Sequence, residues 1–245
     1  MSWGMWTTLQ RTTSNVGMPG SPAISAKRAA RLRAKKYREA ERLFLAEGTV
    51  LLEGAPAAPV RVFDEEEQIL RVSTLKTPAG PVGVFRFLDA TVSELLSRVR
   101  RIVLLHGVQD PGNVGTVIRS AHAFGAGVAL SRGSADLYNP KTVRASMGSI
   151  FHAPVAREVE SATFLDAAGA AGFATVAAMP AAGETPKSMP EGQLVICIGT
   201  EGSGLPEGVV RGCDMQVAIP SFAPSLNASV AASILLYEAY SRVLP

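Results

Sequence analysis

From Arg101 to the carboxyl end the chain alternates short apolar runs with amphipathic segments. RIVLLHG, GVALS, FATVAAMP, QLVICIG and MQVAIP have the length and composition of strands. NVGTVIRSAHAFG, SATFLDAAGAAG and NASVAASILLYEAYSRVL have the spacing of helices, and NPKTVRASMG opens with a helix-start signal. In the first of these, Val114, Val117, Ile118 and Ala121 share one face and Gly125 closes the helix. Runs such as LVICI show no polar alternation, so both faces of the strand need cover. Strands of that kind alternating with helices predict an α/β fold, a mostly parallel sheet with helices on both faces.

The amino-terminal part reads differently. Residues 1–24 are rich in Ser, Thr, Gly and Pro without periodicity and are expected to be disordered. Residues 25–92 read as a small α/β module, with a basic helix over SAKRAARLRAKKYREAERLFLAE up to Gly48 and strands in ILRVSTL and GPVGVFRFL. In that helix Leu32, Tyr37, Leu43 and Phe44 are expected inside, with Lys27, Arg28, Arg31, Lys35, Lys36 and Arg38 in water. Thr91 is expected to cap a helix over TVSELLSRVR that links to a second domain at residues 97–245.

The net charge of +3 conceals an asymmetry. Residues 1–50 hold nine Lys or Arg against three Glu, and the remainder holds 15 basic and 18 acidic residues. A basic arm on a mildly acidic body points to a polyanion such as nucleic acid, although a solvated charged helix accounts for the charge equally well. No apolar run approaches the roughly 20 residues of a membrane span. Cys197 and Cys213 lack metal-type spacing and read as reduced thiols of a cytoplasmic protein. His106, His122 and His152 suggest no metal site either. The amino terminus lacks a secretory pattern, while the absence of acidic residues before Glu39 leaves organelle import open.

In open α/β sheets, ligands bind beyond the carboxyl ends of the strands. Three loops emerge there: VQDPGN (108–113), GTEGSGLP (199–206) and IPSFAPSLNAS (219–229). The first has neither the G-x-G-x-x-G nor the G-K-[ST] signature of a phosphate cradle. The second carries Gly199, Gly202 and Gly204, which let backbone approach a ligand closely, and Glu201, which suits a neutral or cationic ligand. The third sets Ser225, Asn227 and Ser229 before a helix, more polar side chains than one cap uses.

Together these segments resemble the SpoU (TrmH-type) branch of the SPOUT RNA methyltransferases. QDPGNVGTVIRSAHAFG is similar to the first motif of that family, VICIGTEGSGLP to the second, and IP…SLNASVAASILLYE to the third. DLYNPKTVRASMGSIFHAPV (136–155) is also similar to the family, and KKYREAERLFLAEG and LKTPAGPVGVF resemble its amino-terminal RNA-binding domain. The resemblance implies transfer of a methyl group to a ribose 2′-hydroxyl of structured RNA. It implies S-adenosylmethionine as donor, held between the second and third loops, and no metal. It further implies a deep carboxyl-terminal trefoil knot and a homodimer, with Val230, Ile234, Leu235 and Tyr237 of the closing helix as core or interface.

By the same resemblance Arg119 lies nearest the reacting hydroxyl. An arginine keeps its proton at neutral pH, so its expected role is to pair with the target phosphate or hydroxyl rather than to act as a base. Asn113, which also stands where a helix cap would, Glu201, Ser225 and Asn227 complete the implied catalytic set. Glu201 would orient substrate or offset the cationic donor, and Ser225 and Asn227 would support Arg119 and the ribose. Gly199, Ile219 and Leu226, with Glu201 and Gly202, are the implied cofactor-binding residues. Lys35, Lys36, Arg38, Lys141 and Arg144 are the implied RNA contacts, the last two serving equally well in a helix start.

Two departures bear on function. Only four residues, SFAP, separate Pro220 from Ser225, fewer than the family usually has, which would narrow the cofactor pocket or weaken binding. The 20 residues between Gly48 and ILRVS are also fewer than usual, which would alter target choice. The leading reading is a ribose 2′-O-methyltransferase, with 23S-type ribosomal RNA ahead of tRNA because a separate RNA-binding domain is present. Its rival is a non-catalytic dimeric RNA-binding protein that keeps the knotted fold. A nucleotide-binding α/β enzyme lacks any fingerprint here.

Overall fold

A computed structural model describes residues 24–242. The expected disorder of residues 1–24 therefore lies outside the described residues except for Ile24, which is packed in the amino-terminal core.

Residues 24–87 build a three-stranded antiparallel sheet with short helices. In chain order these are α1 (Ala26–Arg31), α2 (Lys35–Glu41), β1 (Leu43–Glu47), α3 (Thr49–Glu53), β2 (Arg61–Phe63), α4 (Glu66–Val72) and β3 (Val82–Arg86), with sheet order β1-β3-β2. The single basic helix expected up to Gly48 is a correction: it breaks at Ala34, and Leu43–Glu47 is a fully buried strand. The break has a local cause. The Arg38 guanidinium donates to the carbonyls of Leu32 and Arg33, which a continuous helix would have bonded internally. The strand expected over ILRVSTL is also corrected. It is largely helix α4, whose first turn carries Glu66 and Glu67 where the helix dipole favours anions, and which buries Val72.

From Val92 onward lie α5 (Val92–Arg98), β4 (Arg101–Leu105), α6 (Pro111–Ala123), β5 (Gly127–Ser131), α7 (Pro140–Ala145), β6 (Val155–Val159), α8 (Ser161–Ala170), β7 (Ala174–Met179), β8 (Leu194–Ile198), α9 (Glu207–Arg211), β9 (Met215–Ala218) and α10 (Ala228–Ser241). The six strands form one sheet, order β6-β5-β4-β8-β7-β9, and every pairing is parallel. Both faces are covered, as the unbroken apolar strands require. Along β8, Ile196 and Ile198 enter the core shared with α6 and α10, while Val195 and Cys197 enter the core shared with α5, α8 and α9. Thr91 caps α5 in a reciprocal box with Glu94, and Leu95 anchors that helix to the six-stranded sheet. No helix among the described residues is long and apolar enough to cross a membrane.

Candidate active site

The carboxyl ends of β4, β8 and β9 deliver the three loops to one place. After β4, Asp110 accepts hydrogen bonds from the backbone N–H of Gly112 and Asn113, and Pro111 opens the helix. Asp110, not Asn113, is thus the cap of α6, which frees the Asn113 side chain. The Lys141 ammonium bonded to Asp110 at 2.9 Å, and then the helix N–H groups, hold that carboxyl below its usual range.

After β8 the chain folds back on itself. Thr200 and Gly204 exchange backbone hydrogen bonds of 2.9 and 3.2 Å, leaving Glu201 and Gly202 at the tip. Gly199 makes this turn possible, since a Cβ there would lie 2.1 Å from the carbonyl carbon of Gly204. After β9, Asn227 caps α10. Its Oδ1 accepts from the N–H groups of Ser229 (2.9 Å) and Val230 (3.2 Å), so its Nδ2 must point outward.

There the three loops meet. Asn227 Nδ2 donates to Glu201 Oε1 at 2.6 Å and to Asn113 Oδ1 at 3.0 Å, and Asn113 Nδ2 donates to the same Glu201 oxygen at 2.6 Å. The expectation that Asn227 supports Arg119 directly is corrected, because its amide is committed to Asn113 and Glu201. Arg119 stands exposed further along α6 and makes no ion pair or hydrogen bond among the described residues. Its fork of donors is available to a ligand.

Beside the cluster, a cleft of about 430 Å³ opens between the second and third loops. Gly199, Glu201, Gly202, Ile219, Ser225 and Leu226 all line it. The short SFAP loop has not closed the cleft, whose size falls within the roughly 300–1,000 Å³ typical of small-molecule sites. Sequence reading overlooked Thr200, which ties the turn through its backbone and accepts from Ser203 N–H. It also overlooked the capping role of Asp110, which the D-P-G order signals. Among the described residues no three His, Cys, Asp or Glu side chains converge as metal ligands would.

The implied RNA contacts separate into two groups. Lys35, Lys36 and Lys141 are exposed. Arg144 reaches the amino-terminal module, donating to Thr74 Oγ1 at 2.8 Å. Arg38 is a correction: it is 3% exposed, and its guanidinium is spent on two backbone carbonyls and on Asp136. It cannot also reach RNA.

A family model described as SpoU rRNA Methylase matches residues 100–237, which hold all three loops. The chain belongs to the SpoU rRNA methylase family. Among relatives, it is 32% identical over 234 residues to the 23S rRNA (guanosine(2553)-2'-O)-methyltransferase RlmP of Bacillus subtilis (strain 168), spanning 85% of this chain and 92% of that one. The AdoMet-bound rRNA methyltransferase of Sinorhizobium meliloti superposes with a TM-score of 0.82 at 29% identity, over 90% of this chain and 95% of its own. The SpoU methyltransferase AviRb of Streptomyces viridochromogenes, solved with AdoMet, superposes with a TM-score of 0.73 at 25% identity, over 89% and 97%. These SpoU-family likenesses extend across the amino-terminal module as well as the six-stranded sheet.

Proposed function

We propose that this SpoU-family chain transfers a methyl group from S-adenosylmethionine to a ribose 2′-hydroxyl in ribosomal RNA, ahead of tRNA. The observation that carries the reading is the Asn113–Glu201–Asn227 cluster, with unengaged Arg119 on the same helix as Asn113 and an open cleft alongside. The cleft suits the donor: Ile198, Leu205, Ile219 and Leu226 give apolar walls for a nucleoside, and the Glu201 carboxylate complements a cation. When bound, S-adenosylmethionine supplies an electrophilic methyl group on a positively charged sulfur.

The residues of the chain then position and polarise. Arg119 donates to the target phosphate or to the developing negative charge on the 2′-oxygen, which eases proton loss to solvent. Asn113 and Asn227 fix Glu201 through one carboxylate oxygen, leaving Oε2 to orient the ribose or face the cationic donor. Asn113, Glu201 and Asn227 already hold one another in place, and such preorganisation is where sites of this kind gain much of their rate.

The remaining parts of the reading concern assembly. The edge strand β9 is followed by α10, which returns to pack on β4, β8 and α6 beneath the 180–193 connection, where Arg242 donates to the carbonyls of Met189 and Pro186. That path supports a threaded, knotted carboxyl end. Val230, Ile234 and Tyr237 leave an apolar strip of α10 exposed, which supports a homodimer. The exposed Lys35 and Lys36 support RNA binding by the amino-terminal module, and Lys141 supports a backbone contact beside the cleft. The breadth of the match to relatives named for rRNA supports ribosomal RNA over tRNA.

The test supplies purified protein with S-adenosylmethionine carrying a labelled methyl group and, separately, unmodified ribosomal RNA and unmodified tRNA. Label is expected in the ribosomal RNA. No transfer to either, together with no calorimetric binding of the donor, would overturn the reading in favour of a non-catalytic RNA-binding protein.

A further inference from the structure

We infer that Arg38, Asp136, Arg157 and Tyr138 are positioning residues for target choice. They hold the cationic α1–α2 edge at a fixed place relative to Arg119, so the nucleotide to be methylated is selected by the span between the two. The inference rests on the reading above of an RNA ribose methyltransferase with an RNA-binding amino-terminal module.

Interfaces between domains of one chain are ordinarily modest and polar, and relative motion is the default. Here the two modules share a core. Phe44 and Phe85 lie in the same apolar cluster as Val117 and Ile196, and Phe87 stacks on Tyr138 with ring centres 3.9 Å apart and planes 15° from parallel. The Tyr138 hydroxyl donates to Asp89 at 2.8 Å and accepts from the N–H of Leu88, which pins the connection between the modules. Arg157, 12% exposed, makes a two-pronged pair with Glu39 at 2.7 and 3.1 Å and meets Asp89 at 3.3 Å.

The path from the basic edge to the catalytic helix is short and stiff. Arg38 Nη1 holds the carbonyls of Leu32 and Arg33 at 2.8 and 2.7 Å, in the turn that Arg31 and Lys35 flank. Its Nη2 pairs with Asp136 at 2.5 Å, and the Asp136 carbonyl accepts from Thr142 of α7 at 3.0 Å. Helix α7 lies directly on α6 at Gly115, where a Cβ would come within 2.5 Å of the Thr142 carbonyl oxygen. Arg119 is one helical turn beyond Gly115. Each link is a hydrogen bond or a backbone contact, and no loose segment intervenes.

Two variants test this in the full chain. Arg38→Lys keeps a cation for Asp136 but cannot fork to both carbonyls. Tyr138→Phe keeps the aromatic packing and loses only the hydroxyl bonds. Spin labels placed at exposed Lys36 and Asp166 through unnatural amino acids report the distance between modules. One narrow distribution is expected for the unmodified chain, broadened in both variants. In transfer assays the variants are expected to raise the KM for ribosomal RNA on the order of tenfold and to spread methyl groups onto neighbouring nucleotides, with kcat and donor affinity little changed. A broad distribution in the unmodified chain, or variants that methylate the original nucleotide alone with unchanged KM, would overturn the inference. Absence of transfer by the unmodified chain would instead sink the methyltransferase reading and target choice with it, while a narrow distribution that widens in Arg38→Lys would leave the clamp itself standing.

Discussion

Asn227 donates to the side-chain oxygen of Asn113 across 3.0 Å although the two stand 114 positions apart, and both amides converge on Glu201 Oε1 at 2.6 Å. One carboxylate oxygen thus joins the loops after β4, β8 and β9. Glu201→Ala removes the common acceptor, leaving the Asn113 amide N–H without a partner and Asn227 bonded to Asn113 alone. It is expected to lower kcat by about 10²–10³-fold with little change in folding. Single-turnover methyl transfer and a thermal melt check this, and an undiminished rate would reduce the cluster to scaffolding.

Arg119 is exposed and unpaired among the described residues, so replacing it has little to disturb in the fold. Arg119→Lys is expected to lose the fork that engages a phosphate or oxyanion, lowering kcat/KM on the order of 10²-fold. Stability is expected to move by no more than about 0.5 kcal/mol. A lysine variant as active as the original would show that charge alone suffices there.

The two glycines of the second loop make a matched pair. At Gly199 a Cβ would collide with the Gly204 backbone, whereas at Gly202 nothing lies within 4 Å. Gly199→Ala is expected to force the turn open, at a cost of about 1–3 kcal/mol, and to weaken donor binding measured by calorimetry. Gly202→Ala should leave stability near the original. Equal behaviour of the two would contradict the described turn.

His122 and His152 stack with ring centres 4.6 Å apart and planes 9° from parallel. Partial desolvation of the exposed His122 ring by its neighbours, and then the charge of His152, hold His122 below its usual value of 6.5. The unfolded chain therefore takes up this proton first, so the contribution to stability is present above about pH 6.5 and is lost as the pH falls through the lower folded value. The Tm is expected to fall on acidification below that point, with a shallower slope in His122→Gln. A Tm that rises on acidification would contradict the sign.

The strands that were legible were those whose burial is written in their own residues, such as β8 with LVICI. Strand β6 was not, because Arg157 and Glu158 interrupt VAREV, and Arg157 turns to face Glu39, 118 residues away. Arg38 shows the same limit. Within a basic run it reads as solvated, but the Leu32 and Arg33 carbonyls and Asp136, 98 residues further on, hold it inside. The site residues were legible as motif positions, but their geometry was not. The Asp110 cap of α6 is written locally in D-P-G, but the partners of the Asn113 side chain, Glu201 and Asn227, arrive from distant loops. Local patterns report a residue's own preference, and long-range partners decide the rest.

Nucleoside analysis of ribosomal RNA after a single turnover with labelled S-adenosylmethionine tests the central claim most directly. The label is expected in one ribose 2′-O-methylated nucleoside, and to be lost in Glu201→Ala. Label on a base, or a rate that Glu201→Ala leaves intact, would contradict the account.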